Sequence, residues 1–322
     1  MKLLAAGSVL FLAACCAVPP RTQTVDRRVM LMGTSLEIEV EAADRAAGLA
    51  ASERAVAALE TAESRLSTWR ADTELARLNR TPTGEPAALS SALARDLAAA
   101  RRCWQETAGA FDPGVGALVR AWGLRTGGRL PGPAERRPAD GIAWLRLQPE
   151  GSAVREKDLI LEEGGWGKGA GLADAMAALA AAGVTRAALD LGGQVAVLGT
   201  WEIPVADPRR RDRSVLALSV DGGSVSTSGN GVRGVHILDP RTGDPAPDFG
   251  SLTVWTADPL RADCLSTGLY VLGPQRAMAW AAAHPGVEVL VLQPSGGRLL
   301  ARASPGLRRK LRALNPEIEI EF

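Results

Sequence analysis

Apolar residues recur along the chain at the two spacings typical of strands and of helices. Val29–Glu41 alternates apolar and polar residues from Leu36 onward, which predicts a half-buried strand after a sharp Met32-Gly33-Thr34 feature. Helical spacing predicts a series of helices: Asp44–Leu66, Asp72–Asn79 capped by Asp72, Leu89–Thr107, Leu118–Gly123, one opened by Ala262–Thr267, and Pro274–Ala283. Further short strands are predicted at Gly234–Leu238, Leu252–Ala257, Val287–Leu292 and Arg298–Leu300, and Arg125–Asp140 is a predicted surface loop.

The segment from position 159 to 191 combines strand, loop and helix patterns in one unit. Its predicted order is strand, glycine loop, helix and strand: Leu159–Leu161, Glu163–Gly169, Leu172–Ala182 and Thr185–Leu191. Gly165, Gly167 and Ala170 fit the G-x-G-x-x-A fingerprint of Rossmann domains, with Asp190 some twenty residues on. A chain with 35 glycines meets this degenerate pattern by chance, so the NAD-binding oxidoreductase that it indicates is a weak hypothesis.

The glycine loop has a more specific physical property. Successive glycine N–H groups that lead into a helix N-terminus favour an anion, and Lys168 adds a positive charge. A pyrophosphate suits such a loop. The alternative is a tight turn with a solvated Lys168.

Ser224–Pro245 is dense in glycine and proline, which predicts forced turns around a short strand. It carries His236, one of two histidines in the chain, near the hydroxyls of Ser226-Thr227-Ser228. An imidazole set among hydroxyls and backbone N–H groups can form a catalytic site, with Asp239 placed to orient the ring. The alternative is a β-hairpin with a surface histidine.

Asp263 and Thr267 lie four residues apart and therefore share one face of the predicted helix. A carboxylate and a hydroxyl beside a loop of exposed carbonyls are oxygen ligands suited to Mg²⁺. The alternative is that Asp263 only caps the helix N-terminus.

Composition removes several function classes. A net charge of +1 argues against a nucleic-acid partner, which requires a basic face. The chain has no CxxC or HExxH motif, so a zinc or iron site is not expected. Beyond the N-terminal region only Cys103 and Cys264 remain, and one pair is not a disulfide framework.

The N-terminus indicates export. Met1–Ala14 has Lys2 and then an apolar run too short to span a bilayer, which is typical of a signal peptide. Leu12-Ala13-Ala14-Cys15 resembles a bacterial lipobox, so residues 1–15 are a predicted lipoprotein signal peptide with Cys15 lipidated. Residues 16–26 then form a tether, and 27–310 form one domain held at the inner or outer membrane, facing the periplasm. Ordinary signal cleavage is the alternative.

Taken together, several segments resemble the ApbE family of FAD:protein FMN transferases, in the family's order from about Val29 to about Leu300. The matching segments are Met32-Gly33-Thr34, Leu66–Trp69 with Glu74 and Leu78-Asn79, Ala110–Gly116, Gly164–Asp174, Asp190–Gly193, Thr227-Ser228-Gly229, His236–Pro245 and Ala262–Thr267.

The resemblance implies an α+β fold of antiparallel sheets with flanking helices and a glycine-rich pyrophosphate loop. It implies an enzyme that binds FAD and Mg²⁺, moves FMN onto a Thr or Ser hydroxyl of an acceptor protein and releases AMP. The implied acceptor is a subunit of a membrane redox complex. An FAD pyrophosphatase and a non-catalytic FAD-binding lipoprotein are the alternatives.

The resemblance also assigns residues. It implies metal ligands at Asp263, Thr267 and the backbone of Gly167, and a catalytic role for His236 and Lys168. The implied flavin or adenosine contacts are Met32, Trp69, Ala110, Phe111, Asp112, Lys168, Asp174, Thr227, Ser228 and His236. The chain departs from the family where Asn230, Gly231 and Val232 replace an acidic and an aromatic residue. Two further positions depart from the family. The chain has Trp69 where the family often has Tyr, and Glu162–Gly169 where the family commonly has D-L-G-G-x-A-K-G.

Overall fold

The computed structural model describes residues 22–230 and 236–322. Its helices are α1 (Arg45–Leu66), α2 (Glu74–Arg80), α3 (Ser91–Glu106), α4 (Gly116–Ala121), α5 (Gly167–Ala181), α6 (Pro259–Leu272) and α7 (Pro274–Ala282). Its strands are β1 (Gln23–Leu31), β2 (Thr34–Ala42), β3 (Pro86–Ala88), β4 (Leu145–Gln148), β5 (Ser152–Arg155), β6 (Arg186–Leu191), β7 (Gln194–Asp207), β8 (Arg210–Ser228), β9 (Ser251–Thr256), β10 (Val287–Ser295), β11 (Arg298–Ala303), β12 (Leu311–Ala313) and β13 (Ile318–Glu321).

One ten-stranded sheet organises the fold. Its order is β1-β2-β6-β7-β8-β9-β10-β11-β13, with β12 paired to β8. Neighbouring strands run antiparallel except β11 and β13. A small antiparallel sheet, β3-β5-β4, lies apart from it. The predicted α+β class, with antiparallel sheets and flanking helices, is therefore confirmed.

Strand β2 shows why the helices cover only one face of the sheet at this end. Leu36, Ile38 and Val40 are buried against α1 and α5, whereas Glu37 and Glu39 alternate with them and point to the opposite face. Helices α6 and α7 pack in the same way against β9 and β10. Among the helices of the described residues, none covers the outer face of β1, β2 and β6.

The predicted Rossmann unit is wrong. Residues 159–161 form no strand, and β6 pairs antiparallel with both β2 and β7. A βαβ crossover needs parallel strands, so the glycine spacing is a chance match. Helix α5 also begins at Gly167, earlier than predicted, because the glycines themselves form its first turn.

Helices α2 and α6 are capped by residues other than those considered from the sequence. Thr73, not Asp72, caps α2, and the Asp72 carboxylate instead pairs with Arg70. Helix α6 begins at Pro259 and is capped by Asp258, whose side chain accepts from the N–H groups of Leu260 and Arg261. Asp263 therefore lies in the second turn and is not the cap.

Two further findings concern the cysteines and membrane spans. Cys103 and Cys264 are free thiols buried in one hydrophobic cluster, and burial raises the pKa of Cys264. Within residues 22–230 and 236–322, no helix has the length and apolar content needed to cross a membrane. Cys15, the predicted signal peptide and most of the predicted tether lie outside the described residues.

Candidate active site

A cavity of about 350 Å³ opens where the glycine loop, the end of β8 and the first turns of α6 meet. Ten of the predicted site residues line it: Trp69, Ala110, Phe111, Asp112, Lys168, Thr227, Ser228, His236, Asp263 and Thr267. Segments up to 198 residues apart in the chain thus converge on one site of a size typical for small-molecule binding.

Three predicted site residues lie elsewhere. Met32 forms the β1–β2 turn with a φ of 50° and packs in the core below α5. The Asp174 carboxylate is bound by Arg65 at 2.7 Å and Arg95 at 3.1 Å. Gly167 opens α5 but does not line the cavity, whereas Gly165 does.

The close crossing of α5 and α6 brings the predicted anion and metal residues together. A Cβ on Gly169 would lie 2.4 Å from the Pro259 carbonyl oxygen, so only glycine allows this approach. The Gly169 N–H donates to Asp263 Oδ2 at 3.0 Å, and Lys168 Nζ lies 3.1 Å from Asp263 Oδ1. The glycine loop therefore presents its helix N-terminus and its cation beside a carboxylate.

The oxygen donors around Asp263 fit Mg²⁺ when substrate phosphates complete the set. The Asp263 side chain is only 4% exposed, and Thr267, one turn later, donates to the Asp263 carbonyl at 3.3 Å. A Cβ on Gly165 would lie 3.3 Å from Thr267 Oγ1, which places the loop backbone beside that hydroxyl. Among the described residues, no three His, Cys, Asp or Glu side chains form a cage. One carboxylate with substrate phosphates is the usual way in which proteins bind Mg²⁺.

Hydroxyl groups join β8 to α6 beside this site. Ser226 and Ser228 each lie 3.0 Å from the Ser266 hydroxyl, which precedes Thr267. Thr227 points to the other face of β8, where it bonds Thr253 at 2.8 Å and remains exposed. Because side chains alternate between the two faces of β8, the hydroxyls of Ser226 and Ser228 bind α6 and that of Thr227 remains accessible.

The side chain of Asn230 holds the backbone around His236. Its Oδ1 accepts from the N–H groups of His236 at 3.3 Å and Ile237 at 3.1 Å, and its Nδ2 donates to the Ala246 carbonyl at 3.1 Å. Asn230 is buried, so these bonds are made away from water. The Asp239 carboxylate accepts from Arg241 at 2.7 and 2.9 Å, and its role in orienting the His236 ring stays a prediction. The departure at Asn230 therefore has a structural function, whereas Gly231 and Val232 lie outside the described residues.

Sequence analysis did not identify the charged cluster below Trp69. The Arg125 guanidinium lies 4.5 Å from the Trp69 ring centroid and also binds Glu162 and Thr68. Burial raises the pKa of Glu162, and Arg125 opposes this shift. Arg125 begins a segment predicted to be a surface loop. Its partners Thr68 and Glu162 lie 57 and 37 residues away in the chain, so no local sequence pattern links them to Arg125.

Asp112 lines the cavity as a buried carboxylate. Its Oδ1 accepts from the N–H groups of Gly114 at 2.7 Å and Ile142 at 2.8 Å. Burial raises the pKa of Asp112 to about 6, although both hydrogen bonds act to lower it. Within the described part of the chain, Asp112 forms no ion pair.

We expect Asp112 to make stability depend on pH. Because its folded-state pKa of about 6 exceeds the ordinary carboxyl value of 3.8, the folded state binds the proton more tightly. Its contribution to the free energy of unfolding is therefore largest below pH ~4 and falls by ~3 kcal/mol as pH rises through ~6. Urea unfolding at a series of pH values measures this change. Asp112→Asn should flatten the profile in this window, whereas Asp158→Asn, at a 92% exposed side chain, should not. An unchanged profile in Asp112→Asn contradicts the prediction.

Comparisons with known proteins decide the family. The ApbE family model matches residues 32–291. The chain belongs to the ApbE family. Curated ApbE relatives named FAD:protein FMN transferase include those of Vibrio cholerae and Treponema pallidum. The first is 31% identical, with 74% of this chain and 78% of the relative covered. The second is 29% identical, with 95% and 94% covered.

Solved ApbE structures share the fold. The flavin transferase ApbE of Vibrio cholerae matches with a TM-score of 0.79 and 28% identity over 90% of this chain and 100% of that one. The ApbE protein of Thermotoga maritima matches with a TM-score of 0.80 and 25% identity, again covering 90% and 100%. The family resemblance found in the sequence is confirmed.

Proposed function

We propose that this flavin transferase moves the FMN half of FAD onto a Thr or Ser hydroxyl of an acceptor protein, releases AMP and requires Mg²⁺. The observation that carries the proposal is the meeting of Lys168 and Asp263 at the N-terminus of α5. It sets a cation, backbone N–H groups and a hard-cation ligand around one point of the cavity. A pyrophosphate requires these groups.

The proposed reaction is a displacement at phosphorus. The acceptor hydroxyl oxygen forms a bond to the FMN phosphorus, the bond between that phosphorus and the bridging pyrophosphate oxygen breaks, and AMP leaves with the bonding electron pair. His236 accepts the hydroxyl proton, and Lys168 with the loop N–H groups stabilises the charge on the phosphates. Trp69, exposed at the mouth of the cavity, offers its ring as a stacking surface for the flavin.

Asp263 and Thr267 would hold the metal, as the donor set around them fits Mg²⁺. A bound Mg²⁺ would neutralise part of the phosphate charge. In the structure Lys168 neutralises the Asp263 carboxylate, and both side chains line the cavity. The Lys168 ammonium can turn to an incoming phosphate, which leaves the Asp263 carboxylate to the metal.

We also propose that the enzyme works outside the cytoplasm, held to a membrane by a lipid on Cys15. The signal-like run and Leu12-Ala13-Ala14-Cys15 support this, as does the short Pro-containing segment after it. Its acceptor is accordingly proposed to be a subunit of a membrane redox complex. The mass of the N-terminal peptide tests the anchor, and a peptide without lipid on Cys15 contradicts it.

The test combines the protein with FAD, Mg²⁺ and a candidate acceptor domain that carries a Ser/Thr-Gly-Ala-Thr target site. We expect equal amounts of AMP and of acceptor with in-gel flavin fluorescence. AMP and free FMN without labelled acceptor indicate a pyrophosphatase, and FAD binding without AMP indicates a non-catalytic carrier. Binding of NAD but not FAD contradicts the proposal altogether.

Asn230 provides a further test of the site. Asn230→Ala leaves the N–H groups of half-buried His236 and buried Ile237 and the Ala246 carbonyl unpaired, which should cost ~1–3 kcal/mol of stability. Transfer should also fall, by up to about 10²-fold, because His236 loses its fixed position. Asn315→Ala is the control, since it removes another buried amide, bonded to the Glu317 N–H, far from the cavity. If Asn230→Ala and Asn315→Ala lose the same stability and keep the same transfer rate, Asn230 does not position His236.

A further inference from the structure

A second and larger cavity, of about 910 Å³, runs along the open face of the main sheet. Its walls come from β1, β2 and β6 on one side and from the long β7–β8 hairpin on the other. Five residues line both this groove and the active-site cavity, namely Gly192, Gly193, Arg211, Thr227 and Gly229. The groove is therefore continuous with the site at the exposed hydroxyl of Thr227.

The groove is acidic. Six carboxylate residues line it against three arginines. The carboxylates are Asp26, Glu37, Glu39, Asp190, Glu202 and Asp207. The sheet register sets two pairs of them directly opposite each other, Asp26 with Glu39 and Glu37 with Asp190. Like charges directly opposite on neighbouring strands destabilise a sheet, so this arrangement is not explained by folding.

Among the residues that the structure describes, part of this negative charge is not held in ion pairs. Glu202 and Asp207 pair with Arg312 and Arg209, and Glu37 pairs with Arg28. Over the described residues, Asp26, Glu39 and Asp190 form no ion pair.

Two of these carboxylates, Glu39 and Asp190, sit in an unfavourable electrostatic setting. Burial and then the neighbouring Asp26 raise the pKa of Glu39, and burial with a smaller effect of Glu37 raises that of Asp190. A cationic partner would relieve the repulsion on both pairs. The groove is thus complementary in charge to lysine or arginine side chains.

The floor of the groove suits an extended chain rather than a nucleotide. Ile203, Val205 and Val225 reach the floor of the groove, but they pack in the core and are at most 6% exposed. The accessible surface is therefore formed mainly by the charged side chains. Glu37 and Glu39 lie two residues apart on β2 and share its open face, and this spacing matches alternate side chains of an extended peptide. An anionic nucleotide would meet the carboxylates instead.

We propose that this groove docks the acceptor protein through an extended, positively charged segment next to its target hydroxyl. The segment lies along β2 and β6, and its hydroxyl enters the active-site cavity past Gly193 and Thr227. This proposal rests on the proposed transferase function and adds the surface that selects the acceptor.

The test compares two double variants with the same change in charge. Asp26→Lys with Glu39→Lys reverses one opposed pair in the groove, whereas Glu60→Lys with Glu85→Lys reverses two exposed carboxylates elsewhere. The probe is the candidate acceptor domain defined above, fluorescently labelled for binding and unlabelled for transfer. We expect the groove variant to raise the KM for the acceptor about tenfold or more at low salt, with a smaller difference at high salt.

Several readouts separate the possible outcomes. The kcat, FAD affinity and acceptor-free AMP release of the groove variant should equal those of the wild type and of the control. Equal acceptor KM values in all three proteins overturn the docking proposal while the transferase function stands. Absence of transfer by the wild type overturns both. A change in the sedimentation mass of the groove variant alone would show that this face joins two copies of the chain, which also overturns the proposal.

Discussion

Asp263→Ala is expected to abolish AMP release from FAD and leave the protein folded. The substitution removes a carboxylate that touches both Lys168 and the N-terminus of α5, and with it the carboxylate that we propose as the Mg²⁺ ligand. It also leaves the Gly169 N–H without its partner, at a cost of ~1–3 kcal/mol. AMP release at saturating FAD and Mg²⁺, together with the thermal midpoint, measures both effects.

Asp258→Ala is the matched control for this experiment. It removes the N-cap of the same helix, one turn before Asp263, and should cost ~1 kcal/mol without touching the cavity. Near-normal AMP release in Asp258→Ala beside loss in Asp263→Ala separates metal binding from helix stability. Full Mg²⁺-dependent activity in Asp263→Ala would show that Asp263 has only a structural role.

The parts of the fold that were predictable are those with local causes. Asp44 and the apolar spacing after it placed α1 correctly, and the alternation from Leu36 onward placed β2. The unit around the glycine loop was predicted wrongly because its spacing is compatible with both parallel and antiparallel connections. Strand direction depends on which distant strands pair, and here β6 pairs with β2, about 150 residues earlier in the chain.

In the candidate site, too, features with a local sequence signal were predicted and features that depend on distant contacts were not. The family resemblance identified Lys168, His236 and Asp263 as site residues, and all three line one cavity. The resemblance depends on the order of the motifs, which can be recognised even where the spacing between them varies. It did not identify Arg125, whose role depends on contacts with Thr68 and Glu162 across the fold. Asn230 was interpreted as a departure from the family, yet its amide satisfies three backbone groups, a function visible only once the turn is folded.

The acidic groove explains why an open face is retained beside the site. A transferase that acts on a protein needs both a cavity for the small donor and an accessible surface for the large acceptor. Thr227 lies where the two meet, and its exposure contrasts with the buried Ser226 before it in β8. Charge at such a surface acts mainly on encounter and selection of the partner, and less on the chemical step.

His236→Asn is expected to retain FAD binding and to lower FMN transfer by about 10²–10⁴-fold, the usual size of a general-base effect. A Thr hydroxyl is a very weak acid, so its proton must leave as the oxygen attacks phosphorus. An imidazole accepts a proton near neutral pH, and His236 lines the cavity with Lys168 and Thr227. FAD affinity should change little, because Lys168, the loop N–H groups and Mg²⁺ meet the phosphate charge.

The other histidine of the chain supplies the control. His284 stacks on Trp280 with ring centroids 3.7 Å apart, and its Nδ1 lies 2.7 Å from the Trp280 carbonyl oxygen, so His284→Asn should leave transfer unchanged. The wild-type rate should rise with pH as an imidazole loses its proton, and this rise should disappear in His236→Asn. Weakened FAD affinity with normal turnover would make His236 a binding residue, and normal transfer would exclude it from the chemistry. A loss of the pH-dependent step together with the loss of rate would identify His236 as the base, because a purely structural role changes the rate at every pH alike.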